Sequence, residues 1–296
     1  MSGFLKRFGA MLLCAGAMIP SACVRDSLPD CPPLRVTIAV KDKNYFNVDQ
    51  MEHEERVAED LPFRNYVPTL YWVLANAETG EVVETRPLYD VTGDATTVTA
   101  EFPAELPFGR YRFTVWGGMP DESPLGDNPA TVDFHPGNTP GSDIYMTSDI
   151  IDYDYAHGDH TVELERTKGK LIVEKIGLPA EVTGSEKSVT GLFATVDTTF
   201  TYSGATSVKK PDSYTPESLV VTKTILSPSV REKGSQLMVL FPKSSGEPLS
   251  AESVNITMER NKLTAVRYVW DETTERFTIY VYINSNWEAV SSMEVD

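Results

Sequence analysis

The chain is short of cysteine, histidine, positive charge and long apolar runs. Each deficit excludes a class of function. Three cysteines in 296 residues, Cys14, Cys23 and Cys31, supply neither a disulfide framework nor a C-x-x-C pair. Against 43 Asp plus Glu there are only 26 Lys plus Arg, a formal charge of −17. Without a basic stripe to neutralise phosphates, nucleic acid is excluded as a partner. The same repulsion opposes adhesion to an anionic membrane by charge alone. Also missing are the G-x-S-x-G elbow, the G-x-x-x-x-G-K-[ST] phosphate loop and the G-x-G-x-x-G turn. The four histidines, His53, His135, His157 and His160, fall in expected loops. The sequence therefore reads as non-enzymatic, with no cofactor and no metal.

What is present begins at the amino terminus. A basic head containing Lys6 and Arg7 precedes an uncharged apolar run from Phe8 to Ile19. This is the pattern of a secretory signal, covering residues 1–22, and the run is too short for a spanning helix, which requires roughly 20 apolar residues. Ser21 and Ala22 stand directly before Cys23, which resembles a lipoprotein cleavage box with Cys23 as the lipid acceptor, although Pro20 sits where Leu is commonest. Two rival readings are a plain secretory cut and a Cys23–Cys31 disulfide. Residues 23–33, acidic and Pro-rich, read as a tether.

Strand signals then dominate. Leu34–Val40 alternates, with Leu34, Val36, Ile38 and Val40 on one face. Similar runs recur through the chain, rich in Val, Thr, Tyr and Ile and separated by turns such as Pro107-Phe108-Gly109 and Ser244-Ser245-Gly246. Only Val48–Asp60 has helix formers, and its thin apolar stripe favours an acidic loop. Many short strands without strand–helix alternation predict an all-β chain of two tandem antiparallel β-sandwiches, at residues 34–160 and 161–296.

Between them, Asp149–His160 is the best metal candidate, with His157 and His160 three apart and Asp152 and Asp154 nearby. Such spacing has no fixed geometry in a loop, and a solvated linker is the preferred reading. The carboxylate pairs Asp121-Glu122 and Asp271-Glu272 read as surface turns rather than a glycosidase acid and base. Tyr71, Trp72, Tyr111, Phe113, Trp116, Tyr268, Trp270, Tyr280, Tyr282 and Trp287 fall at strand spacing and read mainly as core, the rival being a sugar-stacking platform.

Several patches share a likeness. Cys23 followed by Asp26–Pro33 (DSLPDCPP), Leu106–Met119 (LPFGRYRFTVWGGM), Val162–Val173 (VELERTKGKLIV) and the late Trp287 resemble the fimbrillin-associated anchor proteins of Bacteroidales. The resemblance implies two transthyretin-like sandwiches and a triacylated (palmitate-bearing) lipoprotein of the outer membrane, surface-exposed at the base of a fimbrium. It implies fimbrillin, the stalk subunit, as partner through β-strand addition. An anchor that keeps its lipidated amino terminus keeps Leu34–Val40 as its own first strand, so growth stops at it, and Ile283–Asp296 is the expected polymer contact. A surface glycan-binding lipoprotein and a fimbrial tip or accessory adhesin are the alternatives. Loss of residues 1–22 would leave 24 basic residues against the same 43 acidic ones, a formal −19, so lipid on Cys23 would be the link to the membrane.

Overall fold

A computed structural model describes residues 32–126 and 129–290. Twenty strands make up its regular structure: β1 Arg35–Val40, β2 Thr69–Asn76, β3 Val82–Asp90, β4 Val98–Glu101, β5 Gly109–Gly117, β6 Thr131–Asp133, β7 Tyr145–Tyr153, β8 Asp159–Arg166, β9 Gly169–Ile176 and β10 Gly184–Leu192, then β11 Thr195–Asp197, β12 Tyr202–Ser203, β13 Thr206–Ser213, β14 Leu219–Leu226, β15 Ser235–Phe241, β16 Leu249–Ser250, β17 Val254–Ile256, β18 Leu263–Asp271, β19 Arg276–Ile283 and β20 Asn286–Ala289. Helical structure among the described residues amounts to four single 3-10 turns. The all-β expectation holds.

The first seven-stranded sheet runs β3-β2-β5-β7-β8-β1-β4 and curls on itself. Its two arms meet where β7 and β8 pair, Tyr145 with Arg166 and Met146 with Glu165. Leu34, Val36, Ile38 and Val40 thereby face Leu70, Trp72, Leu74, Phe113 and Val115 in one apolar core. Trp72, Phe102 and Phe113 meet there, with ring centroids 5.2–5.9 Å apart. Gly118 makes the turn after Trp116 with φ +80°, and a Cβ there would lie 2.1 Å from the Asp143 carbonyl oxygen, so only glycine fits. Gly109 has no such requirement, since a Cβ would meet nothing nearer than 3.9 Å.

The second sandwich stacks β13-β10-β15-β16, with β17 also on β15, against β14-β9-β18-β19-β20. Leu171, Val173, Val189, Leu237, Val239, Phe241, Val266 and Tyr268 fill its core. A third small sheet, β12-β11-β6, joins residues of the two halves.

One expectation changes and three regions gain detail. Asp149–His160 is no linker: β7 runs on to Tyr153 and β8 starts at Asp159. Ile151 and Tyr153 point into the core while Ile150 and Asp152, on the opposite face, are exposed, so the acidic residues hid an ordinary alternating strand. The boundary expected between residues 160 and 161 falls inside β8, all of which belongs to the first sheet; the chain changes sheet at Thr167–Lys168. Val48–Asp60 starts with a 3-10 turn and is strapped onto the second sandwich, as described below. Finally, β13 (TSVKKPDS) carries no alternating apolar signal, its apolar content being one valine, Val208.

Candidate functional site

The strand carrying the anchor expectation is β1. It lies parallel to β8, Arg35 opposite Asp159 through Val40 opposite Leu164, and antiparallel to β4, Arg35 opposite Glu101 through Ile38 opposite Val98. Leu34, Val36 and Ile38 are fully buried. Both edges of β1 are thus occupied by the chain's own strands, and its side chains fill the space that an incoming strand would need. Arg35 donates its backbone N–H to the Gly158 carbonyl and pairs through its side chain with Glu101, so this arginine sits within paired backbone rather than in an accessible loop.

From β1 the chain crosses to the second sandwich. Tyr45, Val48 and Met51 pack against Ile172, Leu263, Ala265, Tyr282 and Trp287 on the outer face of its sheet β14-β9-β18-β19-β20. The Phe46 N–H reaches the Asn261 carbonyl, and the Asn47 side chain both donates to and accepts from the Leu263 backbone at 2.9 Å. Glu54 pairs with Lys170 and Lys223. This strap couples the first strand to the second sandwich.

Beneath the first core lies a polar junction. Arg166 at the end of β8 is 5% exposed and donates to Asp143 (2.8 Å), Asn261 (2.7 Å) and the Tyr145 hydroxyl, while its N–H donates to the Asp42 carboxylate at 2.8 Å. Its guanidinium stacks on Tyr45 and Tyr145, 4.1 and 4.9 Å from their centroids. Burial works against this charge, but Asp143 and the two tyrosines hold Arg166 above the usual arginine range. Asp42 is pushed up by burial, against the Arg166 hydrogen bond. Lys168 is fully buried and donates to the carbonyls of Phe134 and Pro140; burial lowers it to about 7. His135 accepts the Ser227 N–H at Nε2 and donates from Nδ1 to the Thr139 carbonyl, and burial followed by the Lys168 charge lowers it to about 3. None of these junction residues except His135 was singled out by the sequence, because a buried Arg or Lys looks like a surface residue until its partners are known.

At the other end of the chain, β20 pairs with β19, Ile283 opposite Asn286 through Tyr280 opposite Ala289, and forms one edge of the sheet β14-β9-β18-β19-β20. The Val290 N–H continues the ladder to the Ile279 carbonyl. Beyond it β19 borders a cleft of about 630 Å³, lined by Ser250, Ala251, Phe277, Ile279 and Val290 among others. The expected contact Ile283–Asp296 is therefore an edge hairpin as far as residue 290. Residues 291–296 lie outside the described residues, as do the signal 1–22, Cys23 and Cys31.

The remaining candidates separate. Asp152 pairs with Arg110, and His157 with Asp154 at 2.7 Å, while His160 reaches the His157 carbonyl, so the stretch makes no shared ligand set. Elsewhere Glu52, His53 and Glu174 bring three ligand atoms within 4.8 Å. The Arg267 guanidinium already pairs with Glu174 at 2.5 Å and approaches Glu52 at 3.6 Å, so a cation of the protein's own fills that cluster. Asp121 and Asp271 accept from backbone N–H groups of Ser123 and Thr273 and serve as turn caps. Trp116 is fully buried and donates to the Pro129 carbonyl, whereas Tyr282 and Trp287 are half-buried under the strap. Among the described residues no helix is long and apolar enough to cross a membrane.

Neither a protein-family model nor a curated protein matches the sequence. Solved structures do match its fold. A candidate adhesin from Bacteroides ovatus superposes with a TM-score of 0.58 at 14% identity, covering 92% of this chain and 98% of that one. A candidate polysaccharide-binding protein from Bacteroides thetaiotaomicron gives 0.54 at 11%, covering 88% and 99%. The fimbrial anchor protein Mfa2 from Porphyromonas gingivalis gives 0.51 at 14%, covering 86% and 98%. At these identities the likeness is one of fold, and it spans both sandwiches.

Proposed function

We propose that this chain is a fimbrial anchor: a surface lipoprotein, held to the outer membrane through Cys23, that attaches a fimbrium and ends its polymerisation. In this reading residues 34–166 and 169–290 are two sandwich domains in tandem. The observation that carries it is β1, hydrogen-bonded along both edges by β4 and β8 with its apolar side chains buried. Strand addition requires a free edge and empty alternate pockets. Around β1 neither is offered, so a subunit that retains this strand cannot accept a donor there and closes the polymer at its own end. Its remaining route to a stalk subunit is to give a strand, and we assign that role to the segment following the edge hairpin β19–β20.

Deleting residues 291–296 leaves that hairpin in place, so the protein stays folded and membrane-bound while fimbriae are released into the medium. Unchanged attachment overturns the assignment of this segment. Immunogold labelling tests the reading as a whole: label at fibre bases supports an anchor, and label at distal ends assigns a tip or accessory adhesin instead. Sugar-dependent binding on a glycan array would favour the glycan-binding alternative.

A further inference from the structure

The strands of the first sandwich begin and end at one pole where the described chain also starts. Tyr153 donates its hydroxyl to the Pro32 carbonyl at 2.8 Å, and Arg35 its N–H to Gly158. Around this entry stand the turn at residues 77–81, the loop at 103–108 and the turn at 154–158, brought together because Ala77 bonds Arg110 and Gly109 pairs with Tyr153. Ten large apolar or aromatic side chains stand out as exposed among the described residues, and five gather on this pole or its adjoining outer face: Val82, Val83, Phe108, Ile150 and Tyr155. The other five are spread over the strap and the second sandwich. Phe108 and Tyr155 are 45% and 55% exposed. Phe108 is also fixed in place, edge-on to the Tyr153 ring at 5.0 Å, on a loop pinned by the Tyr111 hydroxyl bonding to Pro107.

Exposed rings on a polar rim suit the headgroup region of a bilayer, where an apolar body and a wet edge are both satisfied. Chain length selects this pole. From Cys23 to Pro32 the backbone spans at most roughly 30 Å even when fully extended, so a lipid on Cys23 draws this end of the molecule to the surface. We infer that the pole is a membrane-contacting face, with Phe108 and Tyr155 entering the headgroup layer and the second sandwich, joined at the opposite ends of β7 and β8, directed outward. The inference rests on lipid at Cys23. Arg35 and Arg110 are neutralised by Glu101 and Asp152, and Glu78, Glu81, Glu105 and Asp159 leave the face negative, so it fits a neutral bilayer better than an anionic one.

The test uses the exported chain carrying Phe108→Trp, Tyr155→Trp or, as a control on the second sandwich, Val230→Trp. Each is placed on phosphatidylcholine vesicles containing brominated lipid, either through its own anchor or, with Cys23→Ser, through a hexahistidine at residue 23 and a nickel-chelating lipid. Bromine quenching of the two polar-face tryptophans at about twice that of the control, in both arms, is expected, and phosphatidylglycerol should reduce it at low salt. Equal quenching of all three in the nickel arm overturns the inference. So does protection of Phe108→Trp by a co-purifying protein in detergent without bromine quenching, which would assign the face to a protein partner. Flotation of the unsubstituted chain, and its loss in Cys23→Ser, reports separately on the lipid.

Discussion

The first core and the junction beneath it are both sealed from water, yet by opposite chemistry. Around β1 the seal is apolar: Leu34, Val36 and Ile38 meet Trp72, Phe113 and Val115, and the Trp72 N–H is the one side-chain polar group among them. Between the sandwiches the seal is ionic, with Arg166, Lys168, Asp42 and His135 all 5% exposed or less. Apolar burial is graded and tolerant of small changes, whereas a buried charge stripped of its partner is severely destabilising. A core that only has to hold a strand can use the first kind. A junction that must fix one orientation between two sandwiches gains direction from the second, since each Arg166 bond points at a different element.

The comparison breaks most sharply at β1. Ile38→Asp puts a carboxylate in the fully buried interior with no partner in reach, and the expected cost is upward of about 4 kcal/mol in chemical denaturation. The same variant should expose Arg35 to an arginine-directed protease that leaves the native chain intact. Thr37→Ala, on the outward face of the same strand, should change neither readout. At the junction Arg166→Met keeps the volume but strands Asp143 and the Asn261 side chain, with an expected loss of about 3 kcal/mol. If both seals worked alike, Arg166→Met would cost less than about 1.5 kcal/mol, as a volume-conserving swap in an apolar core does.

Those two regions also differ in how far the sequence revealed them. Alternation in Leu34–Val40 announces a strand with one buried face, and the structure needs little else to place it. Nothing local announces Arg166 or Lys168, which stand in the run ERTKGK and become buried only because Asp143, Tyr145, Phe134 and Asn261 arrive from distant segments. The strap was half legible: of the thin stripe in Val48–Asp60, Val48 and Met51 cover a sheet face from outside instead of filling a core, while Val57 is exposed. Acidic outer faces misled in the other direction, turning the end of β7 into an apparent linker. Chemistry of position, unlike periodicity, depends on partners that are far away in sequence.

Acid should sharpen the comparison without any substitution in the apolar core. Folded His135 stays neutral down to about 3, because burial and the Lys168 charge disfavour its cation, whereas the unfolded side chain takes up a proton near 6.5. The unfolded chain therefore binds the extra proton between those values, and stability falls as pH drops through that window. Against His135→Gln, the native chain should lose up to about 1.4 kcal/mol more per pH unit between pH 6 and 4. Carboxylates contribute equally to both chains, so the difference reports on this histidine; parallel slopes would mean that burial and the Lys168 charge do not hold it neutral.

The smallest effect tests whether ionic burial always serves a junction. Within the second sandwich Lys175 and Lys187 are buried against Thr222 and Thr224, and only Lys187 has a close carboxylate, Asp212 at 2.9 Å, which it shares with Lys210. Burial, then the neighbouring Lys187 charge, lowers Lys175 to about 7, and burial lowers Lys187 to about 8. Between those values and 10.5 the unfolded chain holds protons that the folded chain does not, so stability rises with pH across that range. Lys175 bonds Thr222 within its own sheet and lies over the Tyr214 ring at 4.9 Å, near where Lys187 already holds Thr222 and Asp212. Lys175→Met should thus raise stability at neutral pH by about 1 kcal/mol and flatten the rise above it, as measured by thermal unfolding at pH 7 and pH 9. A destabilised Lys175→Met would show that this lysine, like Arg166, is there to hold two sheets in register.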